Sequence, residues 1–432
     1  MSADRRQAAS HLERLLSTRN PEELLAQLAP HPGAVPPKVP GGAHVSDEAV
    51  QRRWDLIPAP DSRRELLDAD TEACKESYKK NIEHFIGTVK VPVGLAGPLR
   101  VNGLFASGDY YVPLATTEAA LVASYSRGSH LLTEAGGCTS AVLNEGVCRS
   151  PGFAFRDLRE SGLFVLWTTE HLDEFRRVAE ATTRFGKLTD MRITLEGNHV
   201  YLCFEFTTGD ASGQNMVTLA TEAICAFIEE HCPITPQYHF VEANLSGDKK
   251  ASAQSFLLVR GRKVSAEALV PAELIEKRLR TTPEQMVNFW RMCAMGGILS
   301  GTMGIQGHFA NGLTALYMAC GQDVACVAES AVGVCRYEVM DGNLYASVSL
   351  PNIMVGTVGG GTGLPSQKAC LDILGLSGAG KAQALAEVCA GLCLAGELSI
   401  MGAMCSGDFS RAHRLLARGK HAKKKTEGNA HE

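Results

Sequence analysis

The stretch RITLEGNHVYLCFEF, residues 192–206, constrains this 432-residue chain more than any other. Val200, Leu202, Phe204 and Phe206 recur at every second position after a Gly197-Asn198 pair, the pattern of a hairpin with one buried face. Before it lie an apolar run from Leu163 to Thr168, read as a strand, and the helical text EHLDEFRRVAEAT. After it come a helix from about Gln214 to His231 and a strand near Gln237 to Val241. The order β-α-β-β-α-β is that of a ferredoxin-like split unit, here residues 152–241, inserted into a larger domain. The expected fold class is α+β, with a large α-rich domain surrounding the insert.

The rest of the chain divides around that unit. Residues 1–45 combine an amphipathic leucine pattern with the Pro/Gly-rich stretch HPGAVPPKVPGGAH, which reads as a weakly attached arm and linker. A small helical segment is expected over 46–86. The large domain takes residues 87–151 and 252–413, where Ala/Gly/Leu-rich helical text alternates with strand-like runs (LYASVSLP, IMVGTV). Residues 242–251 form a connecting loop, and 414–432 a solvated basic tail.

A formal charge of −5, with 45% hydrophobic and 21% charged residues, argues against both disorder and a nucleic-acid footprint. A small polar ligand is the better expectation. The 14 cysteines are scattered singly behind an N-terminus with no apolar signal region, which suggests reduced thiols and a cytoplasmic location. Cys389 and Cys393 lie one helical turn apart without a nearby histidine, so no metal is expected. The most apolar stretches, about 292–320 and 388–405, are broken by Gln306, His308 and Asn311 or by Glu397, and no membrane span is expected.

Glycine makes up 43 of the 432 residues, and three clusters invite a chemical reading. GLSGAGKA, residues 375–382, has the spacing of a phosphate-binding loop, but Ala382 replaces the hydroxyl that would hold magnesium, and a turn between two helices is preferred. In GDASGQNMV, residues 209–217, Asp210 or Ser212 could cap the following helix, and Gly213 would let a pyrophosphate approach its N-terminal amides; a plain capped helix fits equally well. GTVGGGTG, residues 356–363, allows close backbone approach to a ligand or merely a flexible turn. Three charged residues stand out in apolar or loop text: Glu118 in the first turn of a helix, Lys249 in SGDKKAS, and Asp323 after an apolar helix. Each alone reads as a cap or a surface charge. Together they offer what carbonyl reduction needs, a cation for the developing oxyanion and carboxylates to tune its proton.

Seven strings in order carry a resemblance: PVGLAGPL (92–99), PLATTEAALVAS (113–124), GDASGQNM (209–216), SGDKKAS (246–252), GHFANGLTALYMACGQD (307–323), GTVGGGTGLPSQKACL (356–371) and AGELSIM (395–401). From about Glu83 to His413 the chain resembles hydroxymethylglutaryl-CoA reductase, specifically the soluble catalytic portion of the biosynthetic class I enzymes. The resemblance implies NADPH-dependent reduction of the hydroxymethylglutaryl-CoA thioester to mevalonate and free CoA, the committed step toward isoprenoids. The inserted unit would be the nucleotide-binding domain.

By the same resemblance Lys249 stabilises the alkoxide, Asp323 keeps it charged, Glu118 supplies protons, and His413 protonates the departing thiolate. Arg149 would take the substrate carboxylate, with Ser246, Asp248, Lys250 and Asn311 as its polar neighbours, and Arg127 a CoA phosphate. Ser126 and His130 stand where some relatives carry Asn and Arg. For the nucleotide, Asp210, Ser212, Gly213, Gln214, Asn215, Gly359 and Gly360 are implied, with Arg184 and Phe185 in TTRFGK facing the 2′-phosphate of NADPH. Gly419 stands where membrane-anchored relatives carry a phosphorylatable serine. A homodimer or higher oligomer with sites between subunits is implied, and no nucleic-acid or membrane partner. Two rival readings stand beside this one: NAD-linked degradative oxidation of mevalonate, and a non-catalytic CoA- or nucleotide-binding homologue.

Overall fold

The protein is described by a computed structural model covering residues 4–30, 33 and 35–407. His413 and the basic tail lie outside the described residues.

Two sheets are joined by one strand. The host sheet runs β2 (Ser107–Ala115), β1 (Val93–Gly103), β3 (Cys138–Arg149), β8 (Gly261–Val270), β11 (Asn343–Ile353), β10 (Gly333–Met340) and β9 (Gly304–Ile305). In the insert, β4 (Gly152–Ala154), β5 (Lys187–Glu196), β6 (His199–Thr207) and β7 (Tyr238–Phe240) pair antiparallel in the order β7-β4-β6-β5. The last residues of β3, Val147 to Arg149, pair with β6, so the two sheets share a strand.

The hairpin forms as its alternation dictates, with Val200, Leu202, Phe204 and Phe206 all buried. The run Leu163–Thr168 does not form a strand. It belongs to the helix Leu158–Glu170, whose buried residues Ser161, Phe164 and Thr168 repeat at three and four positions, while Leu163 and Leu166 face solvent. Asp157 starts that helix by accepting from the amides of Arg159 and Glu160. The first strand of the insert is instead the short Gly152–Ala154. Of IMVGTV, only Ile353 belongs to a strand.

The helix Ala382–Cys405 runs through the host core, with 20 of its 24 residues buried. It is the one helix among the described residues long and apolar enough to cross a membrane, although Glu397 had been expected to break that stretch; here its apolar faces pack inside the fold. Two buried carboxylates on it hold neighbouring backbone. Glu387 accepts from the amides of Leu104, Phe105, Ala106 and Val142, between 2.6 and 3.3 Å. Glu397 accepts from Gly307 (2.7 Å) and His308 (2.8 Å), fixing the turn that opens the helix Phe309–Ala319.

Burial pushes the Glu397 carboxyl up to about 7. Its folded value therefore exceeds its unfolded one, so its contribution is complete below the unfolded value near 4.5 and is lost as pH rises through about 7. A Glu397→Gln variant should lose this decline, flattening the pH dependence of stability between pH 5 and 8 by up to about 3 kcal/mol. Chemical denaturation at the two pH values measures it; identical slopes in wild type and variant would remove the effect.

The lead-in forms its own cluster of Val45, Val50, Trp54, Leu67 and Phe85. The helices Arg5–Leu16 and Pro21–Leu28 bury no residue.

Candidate active site

Where the insert meets the host, a cleft of about 600 Å³ opens. Its walls bring together Ser212, Gly213, Gln214, Asn215, Lys249, Asp323, Gly359 and Gly360, residues that lie up to about 150 positions apart in the chain. The insert contributes the start of the helix Gln214–His231. Gly213 is its N-cap at φ 74°, no side chain caps it, and a Cβ there would lie 2.3 Å from the Thr208 side chain. Glycine is thus required, and the first helical amides are left open toward the cleft.

Neither Asp210 nor Ser212 caps this helix. The Asp210 carboxylate instead accepts from the amides of Gly380 (2.8 Å), Lys381 (3.2 Å) and Ala382 (3.2 Å), capping the core helix Ala382–Cys405 and filling the turn that resembled a phosphate loop. Asp210 therefore does not line the cleft; a carboxylate satisfies the same amides a phosphate would need.

On the facing wall, Lys249 Nζ lies 3.0 Å from Asp323 Oδ2. Lys249 adopts φ 55° in the Ser246–Lys250 loop, where the Asp248 amide donates to Ser246 Oγ (3.3 Å) and Lys250 Nζ donates to the Asp248 carbonyl (2.9 Å). Asp323 follows the helix Phe309–Ala319 and accepts from the Ala325 amide (3.1 Å). The Asp323 hydrogen bond and charge raise the lysine pKa above its ordinary value. Burial pushes Asp323 up, but the Lys249 hydrogen bond and charge outweigh it and hold the carboxyl below its ordinary value. The pair is an ion pair, with Lys249 held protonated.

Gln214 bonds the same carboxylate, Nε2 to Asp323 Oδ2 at 3.2 Å, and also donates to Cys326 Sγ at 2.9 Å. Behind Lys249, Asp248 lies between two guanidinium groups: Oδ2 accepts from Arg149 Nη1 (3.0 Å) and Oδ1 from Arg260 Nη2. Arg149 is buried, also donates to Glu242 (3.3 Å), and has an Nε with no partner.

The remaining residues fall elsewhere. Glu118 is exposed in the loop before the helix Leu121–Glu134, not in its first turn, because Ala120 at φ 72° delays the start. Its Oε2 accepts from Asn311 Nδ2 at 2.9 Å. Arg127 is turned onto the core helix, donating to Ser399 Oγ (3.0 Å) and the Ser399 carbonyl (2.7 Å). Arg184 and Phe185 are exposed in the loop before β5, which is tied to the cleft-lining Met216 through Thr183 Oγ1 and Sδ (2.8 Å). Sequence reasoning missed Arg260, the buried Glu329 that accepts from its Nε (3.2 Å), and Asn81, which lines the cleft and donates to the Gly360 carbonyl (2.8 Å). An arginine after the apolar run FLLV was the available signal for the first; nothing local marks the others.

The family sequence model described as hydroxymethylglutaryl-coenzyme A reductase matches residues 49–418. The 3-hydroxy-3-methylglutaryl-coenzyme A reductase of Pyrococcus horikoshii is 44% identical over 352 residues, 79% of this chain and 85% of that protein. That of Methanothermobacter thermautotrophicus is 43% identical over 378 residues, 86% and 94% of the two chains. In fold, the chain is similar to the class II enzyme from Streptococcus pneumoniae bound to NADPH, with a TM-score of 0.62 at 20% identity, covering 82% of this chain and 96% of that one. With most of its length matched and the cleft residues in place, the chain belongs to the hydroxymethylglutaryl-coenzyme A reductase family.

Proposed function

We propose that this chain reduces the thioester of 3-hydroxy-3-methylglutaryl-CoA to mevalonate and free CoA in four electrons, with NADPH as coenzyme. The observation that carries the reading is the Lys249–Asp323 ion pair set in the wall of a cleft that also holds an uncapped helix N-terminus. Open amides at Gly213–Asn215 and the small-residue wall at Gly359–Gly360 fit a dinucleotide, the helix end suiting its pyrophosphate. When bound, NADPH supplies the hydrides.

The protein's own groups supply the rest. As the carbonyl oxygen gains negative charge, Lys249 Nζ stabilises it, and Asp323 keeps that ammonium charged and aimed. Glu118 supplies protons, with Asn311 orienting its carboxyl. Arg149, Ser246, Asp248 and Lys250 surround the substrate's carboxylate end, and the unpartnered Arg149 Nε is a donor available to it. His413 protonates the CoA thiolate, and Arg127 takes a CoA phosphate once released from Ser399. We place the chain in the biosynthetic class. The exposed Arg184, in a loop tied to the helix that opens on the cleft, supports this. The domain boundaries given above, a cytoplasmic location and a homodimer are part of the same proposal. The apolar row Met292, Met295, Ile298 and Leu299, exposed on one helix, supports the last of these.

A spectrophotometric assay with hydroxymethylglutaryl-CoA, offering NADPH and NADH separately, tests the reading. Turnover with NADPH preferred is expected; folded protein that oxidises neither would point to the non-catalytic homologue. Arg184→Ala should raise the KM for NADPH by roughly 10-fold, the worth of one charge-assisted contact, with little change for NADH. An unchanged coenzyme preference would dismiss Arg184 as the 2′-phosphate contact.

A further inference from the structure

Arg260 is nearly inaccessible to solvent, yet every nitrogen of its guanidinium is engaged, and each bond goes to a different part of the site. Nε donates to Glu329 Oε1 (3.2 Å) and Nη1 to the Cys148 carbonyl (3.0 Å), which precedes Arg149. Nη2 donates to both Gln214 Oε1 (3.3 Å) and Asp248 Oδ1. From these two the connections close on the ion pair. Gln214 passes its other amide atom to Asp323 Oδ2 (3.2 Å), Asp323 holds Lys249 Nζ (3.0 Å), and Lys249 follows Asp248 in the chain. The result is a ring: Arg260, Gln214, Asp323, Lys249, Asp248 and back to Arg260.

We propose that Arg260 is a positioning residue for the reduction, fixing Gln214 at the start of the nucleotide-side helix and Asp248 in the catalytic loop so that Lys249 and Asp323 meet in register. The inference rests on the reductase reading, and it concerns how the ion pair is aimed rather than what the pair does.

Three features favour this over a purely structural ion pair. The guanidinium bridges two separate elements with one nitrogen, which a lysine ammonium on a flexible stem does not reproduce while also reaching Glu329 and Cys148. Glu329 lies fully buried behind it, with burial pushing its carboxyl above the ordinary value and Arg260 pulling the other way. Arg260 is thereby braced from the core side, as a group that must hold others in place should be. Finally, Arg260 holds the amide of Gln214 by its Oε1, which turns Nε2 toward Asp323 and Cys326.

The test is a double-substitution cycle on the full-length enzyme, using Arg260→Lys and Gln214→Met, singly and together, with kcat from NADPH oxidation and NADPH affinity from fluorescence titration. Each single variant should lose roughly 10- to 100-fold in kcat, the scale of a small misplacement of reacting groups. The KM for hydroxymethylglutaryl-CoA should change far less than kcat. The double variant should be no slower than the slower single one, because both break the same ring. Folded Arg260→Lys within threefold of wild-type kcat, or losses that multiply in the double variant, would overturn the proposal. Should Arg260→Lys fail to fold, Gln214→Met decides alone: its kcat must fall with its melting temperature unchanged, and a normal kcat overturns the inference. Wild-type protein that oxidises no NADPH overturns the reductase reading itself; an active wild type with unaffected variants overturns only the role of Arg260.

Discussion

Lys249→Ala should lower turnover by roughly 100- to 1,000-fold, the usual consequence of removing one preorganised oxyanion donor. The substitution takes away the ammonium and leaves the loop. Lys249 already holds a left-handed backbone, and an alanine there bears the same strain, so the conformation of the Ser246–Lys250 segment is unaffected by the exchange. Asp323 then loses the partner that keeps its carboxyl below the ordinary value, while burial continues to push it up. The variant thus loses both the stabilising cation and part of the negative field that would recruit a substitute. Nucleotide binding should survive, since the open amides after Gly213 belong to another element. Steady-state kinetics and a fluorescence titration with NADPH separate the two quantities. Near-normal turnover would refute the role of Lys249, and lost NADPH binding would show that the variant had damaged more than the oxyanion site.

Gly128→Ala should be strongly destabilising although it adds a single methyl. Gly128 lies where the helix Leu121–Glu134 crosses the core helix, and a Cβ built there would be 1.8 Å from the Ala395 carbonyl oxygen and 2.5 Å from its carbon. Both atoms are backbone, so no side chain can turn aside; the helices must separate. Alanine gains about 1 kcal/mol of helix propensity over glycine, but overpacking of a filled core typically costs about 1–3 kcal/mol and more where backbone must move. The second effect wins, and a net loss of about 2 kcal/mol or more is expected. Equilibrium denaturation measures it, and a midpoint equal to that of wild type would mean the two helices have slack that this contact does not show.

The parts of the fold that were legible in the sequence are those set by neighbours in the chain. The β5–β6 hairpin follows from alternation and a turn, and the helix Gln214–His231 and the strand Tyr238–Phe240 follow from local periodicity. The misread run at Leu163 shows the limit of that information. Six apolar-rich residues fit a strand and a helix equally, and only the burial of Phe164 and Thr168 against the insert's sheet face decides between them. The site was legible as a set of residue types and a resemblance, but its wiring was not. Asp210 binds amides 170 to 172 positions away, and Arg260 reaches Gln214 46 positions back. No local pattern encodes such pairings, because they come into being only when the sheets are assembled. Glu118, placed by sequence at the start of a helix, is held off it by one left-handed residue, a matter of a single φ angle.

The contact made by Asp210 also limits how this protein can be taken apart. An insertion joined to its host only by two chain crossings could be exchanged between relatives or deleted as a cassette. Here the insert supplies the carboxylate that completes the host's main core helix, and its Gly209 carbonyl accepts from the buried Arg262 of β8 at 2.6 Å. Removing residues 152–241 would leave three helix-end amides without their acceptor and take one acceptor from the buried Arg262, which would keep only the Val355 carbonyl and Glu145. The two bodies are therefore one unit of inheritance: a foreign nucleotide module grafted into this frame must bring an acidic residue at the position of Asp210, whatever coenzyme it is meant to carry.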